Sequence, residues 1–78
     1  MLNIIIVSPE KTLYKGEAES IIVPGEKGRF EVLTNHAPIV SILTKGTIEC
    51  QGAEKTTLDI EGGFIEVKDN AVSVCVEV

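Results

Sequence analysis

Pro24-Gly25-Glu26-Lys27-Gly28-Arg29-Phe30-Glu31-Val32-Leu33-Thr34-Asn35-His36-Ala37-Pro38 is the stretch that decides how this chain folds. The apolar run Ile21-Ile22-Val23 leads into it, and Ile39-Val40-Ser41-Ile42-Leu43 leads out. Pro24 has no N–H to give to a ladder, so a strand should stop there or lie at an edge. Gly25 and Gly28 suit a tight reversal around Glu26-Lys27, because glycine takes positive φ at little cost. Pro38 holds Ala37 extended. The stretch therefore predicts two loops, Glu26–Gly28 and Thr34–Ala37, on either side of one short strand.

On the N-terminal side, Leu2–Ser8 is apolar at nearly every position. Leu2, Ile4 and Ile6 face one way, and Ile5 and Val7 face the other. A strand with one wet face should alternate, so this one is expected to be covered on both faces. Pro9-Glu10-Lys11 makes a turn and Thr12–Lys15 a short strand. Gly16 is expected to break that strand before a third one over Glu17–Val23.

On the C-terminal side, Ile39–Leu43 is a strand and Thr44-Lys45-Gly46 a turn. Thr47–Gln51 and Lys55–Ile60 alternate cleanly, with Ile48, Cys50, Leu58 and Ile60 inward and Gly52-Ala53 turning between them. Glu61-Gly62-Gly63 permits a bend or bulge. Phe64–Val67 follows, then the turn Asp69-Asn70, then Ala71–Val76 with its valines on one face. No segment shows helical periodicity over helical length. Short strands between regularly spaced turn signals predict one all-β domain over residues 1–78, a sandwich or flattened barrel.

Composition narrows the function. The chain has 78 residues, and a domain of that size hides only about 60% of its unfolded surface, so shelter from a partner is in character. Net charge is −5, and the seven basic residues are scattered singly. No basic stripe exists to neutralise phosphates, which argues against nucleic acid. The acidic excess argues against anionic lipid. No apolar run approaches the roughly 20 residues of a spanning helix, so direct membrane insertion is not expected. The N-terminus, Met1-Leu2-Asn3-Ile4, lacks the basic region and the cleavage site of a signal peptide. Two cysteines, Cys50 and Cys75, lie in strand-like segments and read as inert core thiols of a reducing, cytosolic compartment.

Chemistry-bearing motifs are sparse. His36 is the single histidine. As a catalytic base it needs a nucleophile and an orienting acid in reach, and no motif context places Cys50, Cys75 or Ser41 there. One His and two Cys fall short of a zinc site. Gly25–Gly28 lacks the Gly-Lys-Ser/Thr ending of a phosphate loop, Gly62-Gly63 is a backbone device, and Asp59 and Glu61 read as solvated. No cofactor is expected. The apolar surplus is more informative. Ile5, Val7, one of Ile21 and Ile22, Val40 or its neighbours, and Phe64 cannot all enter one small core. Either the core is thick and its alternation leaky, or some of these residues form a docking face for another protein.

Val23–Leu33 followed by Asn35-His36-Ala37-Pro38 resembles the signature of the ATP synthase epsilon subunit. Glu61-Gly62-Gly63-Phe64-Ile65-Glu66-Val67 resembles its second hallmark, and Ile6–Glu10 with Tyr14–Glu17 resembles its opening strands. The resemblance covers the whole chain and implies a flattened ten-stranded β-sandwich. It also implies a non-catalytic rotor subunit at the foot of the central stalk, on the cytoplasmic face of the bacterial inner membrane. The implied partners are the gamma subunit and the polar loops of the c-ring. The implied ring contacts are Glu26, Lys27, Gly28 and Arg29, and the implied gamma contacts are Ser8, His36, Ile39 and Val40. Family members often carry an acidic residue where Arg29 stands, which puts the charge pairing with the ring in question. Many relatives continue into a two-helix arm that brakes ATP hydrolysis or binds ATP. This sequence ends at Val78, so it is expected to be the short form, with no ATP site. The alternative is a generic β-sandwich interaction module with a different partner.

Overall fold

Alternation of branched apolar and polar residues gives nine strands and no helix: β1 Leu2–Val7, β2 Thr12–Ala18, β3 Ser20–Gly25, β4 Gly28–Leu33, β5 Ile39–Leu43, β6 Gly46–Gln51, β7 Lys55–Ile60, β8 Gly62–Lys68 and β9 Ala71–Glu77. The computed structural model describes all residues, Met1–Val78. The all-β architecture agrees with the sequence, with nine strands where the resemblance implies ten.

The strands form two leaves. One runs β2-β1-β9-β8-β5 and the other β4-β3-β6-β7. All pairs are antiparallel except β1 with β9, which are parallel. The leaves meet at the single pair Gly25–Leu43, flanked by Glu26 N–H to Ile42 C=O at 3.0 Å and Thr44 N–H to Pro24 C=O at 2.8 Å. A side chain at Gly25 would sit 2.7 Å from the Gly28 carbonyl and 2.8 Å from the Phe30 ring, so this joint has no room for one.

Sixteen buried apolar residues from both leaves make one core cluster. Ile4 and Ile6 of β1, Ile65 and Val67 of β8, and Val72 and Val74 of β9 line it from one leaf. Ile21, Val23, Val32, Ile48, Cys50 and Ile60 line it from the other. Each fully buried aliphatic side chain contributes about 1.5–3 kcal/mol of hydrophobic stabilisation. Ile48, Cys50 and Ile60 are buried as the alternation predicts, and Leu58 is half-buried against the cluster.

Four sequence expectations are corrected. β1 is covered on one face only: Leu2, Ile4 and Ile6 are buried, but Ile5 and Val7 are half-exposed on the other side. Gly16 does not end β2, because it pairs with Ile4 and the strand runs on to Ala18. The break falls at Glu19 instead. β3 continues through Pro24 to Gly25, because the β3–β6 ladder has already ended at Ile22 and Pro24 interrupts no ladder pair with β6. At the hairpin that follows, Gly28 alone has positive φ (126°) and Gly25 does not.

Candidate functional site

In a β-sheet, residues directly opposite one another on neighbouring strands share a face. On the outer face of the first leaf, Ile42 of β5 lies opposite Phe64 of β8, Phe64 opposite Cys75 of β9, and Cys75 opposite Val7 of β1. These four side chains make an apolar row across four strands, about 14 Å long at the usual strand spacing. A second row holds Val40, Glu66, Ser73 and Ile5. Val40 is 71% exposed, Ile42 59% and Phe64 47%. The neighbouring residues of each strand point inward, so Ile65 and Val74 are fully buried one step away.

Gly63 sets how close this face lies to the core. Its φ is 154°, and a Cβ there would fall 2.1 Å from the Cys75 carbonyl oxygen. Only glycine lets β8 run that close to β9 beneath Phe64.

Two grooves adjoin the apolar row. Beyond Ile42, a groove of about 520 Å³ lies between β5 residues Val40–Ile42 and the hairpin residues Gly25–Phe30. Alongside Phe64, Cys75 and Val7, a groove of about 280 Å³ is closed by Ser8 and Pro9. The face therefore runs without interruption from the β3–β4 hairpin to the Ser8–Lys11 turn.

Glu26 and Lys27 form the exposed tip of that hairpin between Gly25 and Gly28. Arg29, just behind the tip, donates from Nη1 to the Thr47 carbonyl at 2.7 Å and from Nη2 to Glu49 Oε2 at 3.1 Å. The other Glu49 oxygen takes Lys55 Nζ at 2.9 Å. The hydrogen bond and charge of Lys55, with a smaller contribution from Arg29, hold the Glu49 carboxyl below its ordinary range.

The implied gamma contacts separate. Val40 stands on the outer face, whereas Ile39 turns inward opposite Val67 and packs on the core. Ser8 is half-buried, and its Oγ donates to the Lys11 carbonyl at 3.3 Å. His36 is half-buried in the β4–β5 loop, with its Nδ1 2.7 Å from the Ala37 carbonyl and its N–H donating to Leu33 at 3.1 Å. That loop is clasped to the β8–β9 turn. Asn35 N–H donates to Asn70 Oδ1 at 2.6 Å, and Asn70 Nδ2 donates to Asn35 Oδ1 at 3.2 Å. Both asparagines have positive φ, 66° and 64°, a region asparagine tolerates because its side chain bonds locally.

Neither sulfur is hydrogen-bonded to His36, and no group of three His, Cys, Asp or Glu side chains could hold a metal. Both cysteines are free thiols. Burial pushes the Cys50 thiol up to about 11, as befits a core thiol. Cys75 is not in the core, contrary to the sequence expectation. It is half-buried on the outer face next to Phe64, because the valines on either side of it take the inward positions of β9. The strand alternation of Ala71–Val76 already carries that signal. Ile42 is not singled out by the sequence, since nothing there shows that it pairs with Phe64.

The family described as the ATP synthase Delta/Epsilon chain, beta-sandwich domain, matches residues 1–78. The chain belongs to that family. The ATP synthase epsilon chain of Leptospira borgpetersenii is 54% identical over 94% of this chain, and that of Leptospira interrogans 51% identical over the same share. The epsilon chain of Caulobacter vibrioides is 36% identical over 97% of this chain and 90% of its own length. Against the Leptospira relatives, this chain spans 58% of their length. Among solved structures, the fold is shared with a chain of the Euglena gracilis mitochondrial ATP synthase (OSCP/F1/c-ring). That match has a TM-score of 0.88 and 24% identity, over 96% of this chain and 49% of that one. It is also shared with a chain from the central stalk/c-ring structure of the Tetrahymena thermophila mitochondrial ATP synthase. There the TM-score is 0.86 with 13% identity, over 99% of this chain and 63% of that one. The epsilon-type sandwich thus carries its long apolar row on the leaf that pairs β1 with β9, with the hairpin tip at one end.

Proposed function

We propose that this domain is a non-catalytic rotor component of an ion-translocating ATP synthase, peripheral on the cytoplasmic face of the membrane. In this reading the sandwich clamps a gamma subunit to the polar loops of a c-ring. Glu26, Lys27, Gly28 and Arg29 form the ring-facing segment, with Arg29 at its root. Val40, together with Ile42 and Phe64, forms the centre of the gamma-facing surface, and Ser8 and His36 lie at its margins. Ile39 supports that surface from the core side.

The observation that carries the reading is the exposed apolar row Ile42–Phe64–Cys75–Val7 with Val40 beside it. A face of this kind is seldom left bare. The relatives named as epsilon chains supply the assembly in which a cover would be found. The work of such a clamp is mechanical. Two leaves of hydrogen-bonded strands around one core transmit torque with little deformation, since close-packed interiors are hardly compressible. No helix in the chain is long and apolar enough to cross a membrane, in keeping with a peripheral seat.

The test is to rebuild the synthase without this chain and measure ion-driven ATP synthesis. Loss of assembly or coupling is the expected result. Unchanged assembly and coupling would refute the assignment.

A further inference from the structure

The β3–β6 ladder pairs Ser20 with Gln51, Ile21 with Cys50 and Ile22 with Glu49, and then ends. Two residues on in the same register, Pro24 would meet Thr47. Alternate residues of an antiparallel strand direct both N–H and C=O to the same neighbour. Pro24 faces the β5–β6 side, because its carbonyl accepts from Thr44 N–H at 2.8 Å. Its ring nitrogen has no hydrogen to give. The carbonyl that such a hydrogen would have met, that of Thr47, is taken at 2.7 Å by Arg29 Nη1. Arg29 is the residue paired with Pro24 across the β3–β4 hairpin. Its side chain therefore reaches over β3 from β4 to β6, and Glu49 anchors the second arm of the guanidinium at 3.1 Å.

We propose that Arg29 is a positioning residue whose guanidinium supplies the hydrogen-bond donor that Pro24 lacks, fastening the Glu26–Lys27 tip to β6. A planar fork with several fixed donors suits this role, since it can bond a carbonyl and a carboxylate at once. The charge of Arg29 is engaged inside the domain by Glu49. Recognition of a partner at the tip then falls to Glu26 and Lys27, one negative and one positive group. This last step rests on the proposed ring-facing role of the tip. The strut itself does not, and it is measured without any partner.

The experiment is amide hydrogen exchange by NMR on the 78-residue chain and four variants: Arg29→Met, Arg29→Lys, Pro24→Ala and the double variant Pro24→Ala with Arg29→Met. The reporting amides are Glu26, bonded to Ile42, and Thr44, bonded to Pro24. Arg29→Met is expected to speed their exchange about tenfold, the loss of one hydrogen bond from a charged donor. Pro24→Ala restores a backbone N–H facing Thr47, so the double variant is expected to return to within about threefold of the Pro24→Ala single variant. Arg29→Lys keeps the charge but cannot bond Thr47 and Glu49 in one fork, and is expected to fall between. It also supplies the measurement should Arg29→Met fold poorly. Unchanged exchange in both Arg29 variants, or an acceleration that Pro24→Ala leaves untouched, overturns the strut. If exchange follows the expected pattern while no variant alters attachment to the synthase, the strut stands and the partner role of the tip falls.

Discussion

Phe64 lies directly opposite Ile42 in the β5–β8 ladder, and both side chains stand about half out of the protein surface. One residue further along β8, Ile65 is fully buried. Neighbours in sequence thus serve opposite ends: one holds the domain together, and the other is available to a second protein.

Phe64→Asp is accordingly expected to lower the stability of the isolated chain by about 1 kcal/mol or less, in the range of exposed substitutions. Ile65→Ala should cost about 2–5 kcal/mol through lost burial and the cavity left behind. Under the proposed rotor role, the order is expected to reverse for attachment to the synthase. Phe64→Asp should weaken binding by tenfold or more, because a carboxylate would be buried against an apolar cover, whereas Lys55→Asp should have little effect. Urea denaturation of the chain and co-purification with the complex read the two arms. A strongly destabilised Phe64→Asp chain would contradict the assignment of Phe64 to the outer face.

Gly63 and Gly28 both have positive φ but differ in what surrounds them. A Cβ at Gly63 meets the Cys75 carbonyl, while nothing lies within 4 Å of one at Gly28. Gly28→Ala is expected to cost about 1–2 kcal/mol, the backbone penalty alone. Gly63→Ala should cost more than that, since β8 and β9 must also move apart. Equal denaturation midpoints for the two variants would show that the close approach at Gly63 does not matter.

The two thiols should react at very different rates. In the native state at pH 8, Cys75 is expected to label with a soluble disulfide reagent, and Cys50 only after unfolding. The pH dependence of stability follows from the same burial. An ordinary thiol ionises near 9.0, whereas folded Cys50 is pushed up to about 11. Between those values the unfolded chain has lost a proton that the folded chain keeps, so stability falls as pH rises from about 9 to about 11. Tyr14 is also raised, mainly by burial and then by the nearby Cys50, and adds to the slope in the same direction. Urea midpoints at pH 8 and pH 10 should separate for the parent chain and separate less for Cys50→Ala.

Glu49 titrates in the opposite sense. Its carboxyl is held below the ordinary 4.5, first by Lys55 and then by Arg29. Its contribution to stability is present at neutral pH and is lost as pH falls through the lowered value. An NMR titration of the Glu49 carboxyl should give a midpoint below 4.5, and Lys55→Met should raise it more than Arg29→Met. Equal shifts from the two variants would contradict the order of the two partners.

Several elements are legible in the residues alone. Alternation in Thr47–Gln51 and Lys55–Ile60 marks Ile48, Cys50 and Ile60 as core, because a period of two leaves one face for the interior. Asp69-Asn70 reads as a turn, and both residues take the positive φ such a turn requires. Local rules fail where they meet long-range pairing. Gly16 has no side chain to pack, yet β1 holds it in a strand opposite Ile4. Pro24 sits inside β3 because the ladder to β6 ends at Ile22, two residues before it.

The chain's own residues determined an aliphatic all-β domain, its turns, and a surplus of apolar side chains beyond what one interior holds. Local chemistry is enough for that, since period and turn preference act over a few residues. Tertiary structure alone decided that part of this surplus lines up as one continuous row. Ile42, Phe64, Cys75 and Val7 come from four separate segments, and only the register of the β5–β8, β8–β9 and parallel β1–β9 ladders lines them up. The same holds for Arg29 and Thr47. They are 18 residues apart, and the meeting of guanidinium and carbonyl depends on β3 lying between their strands.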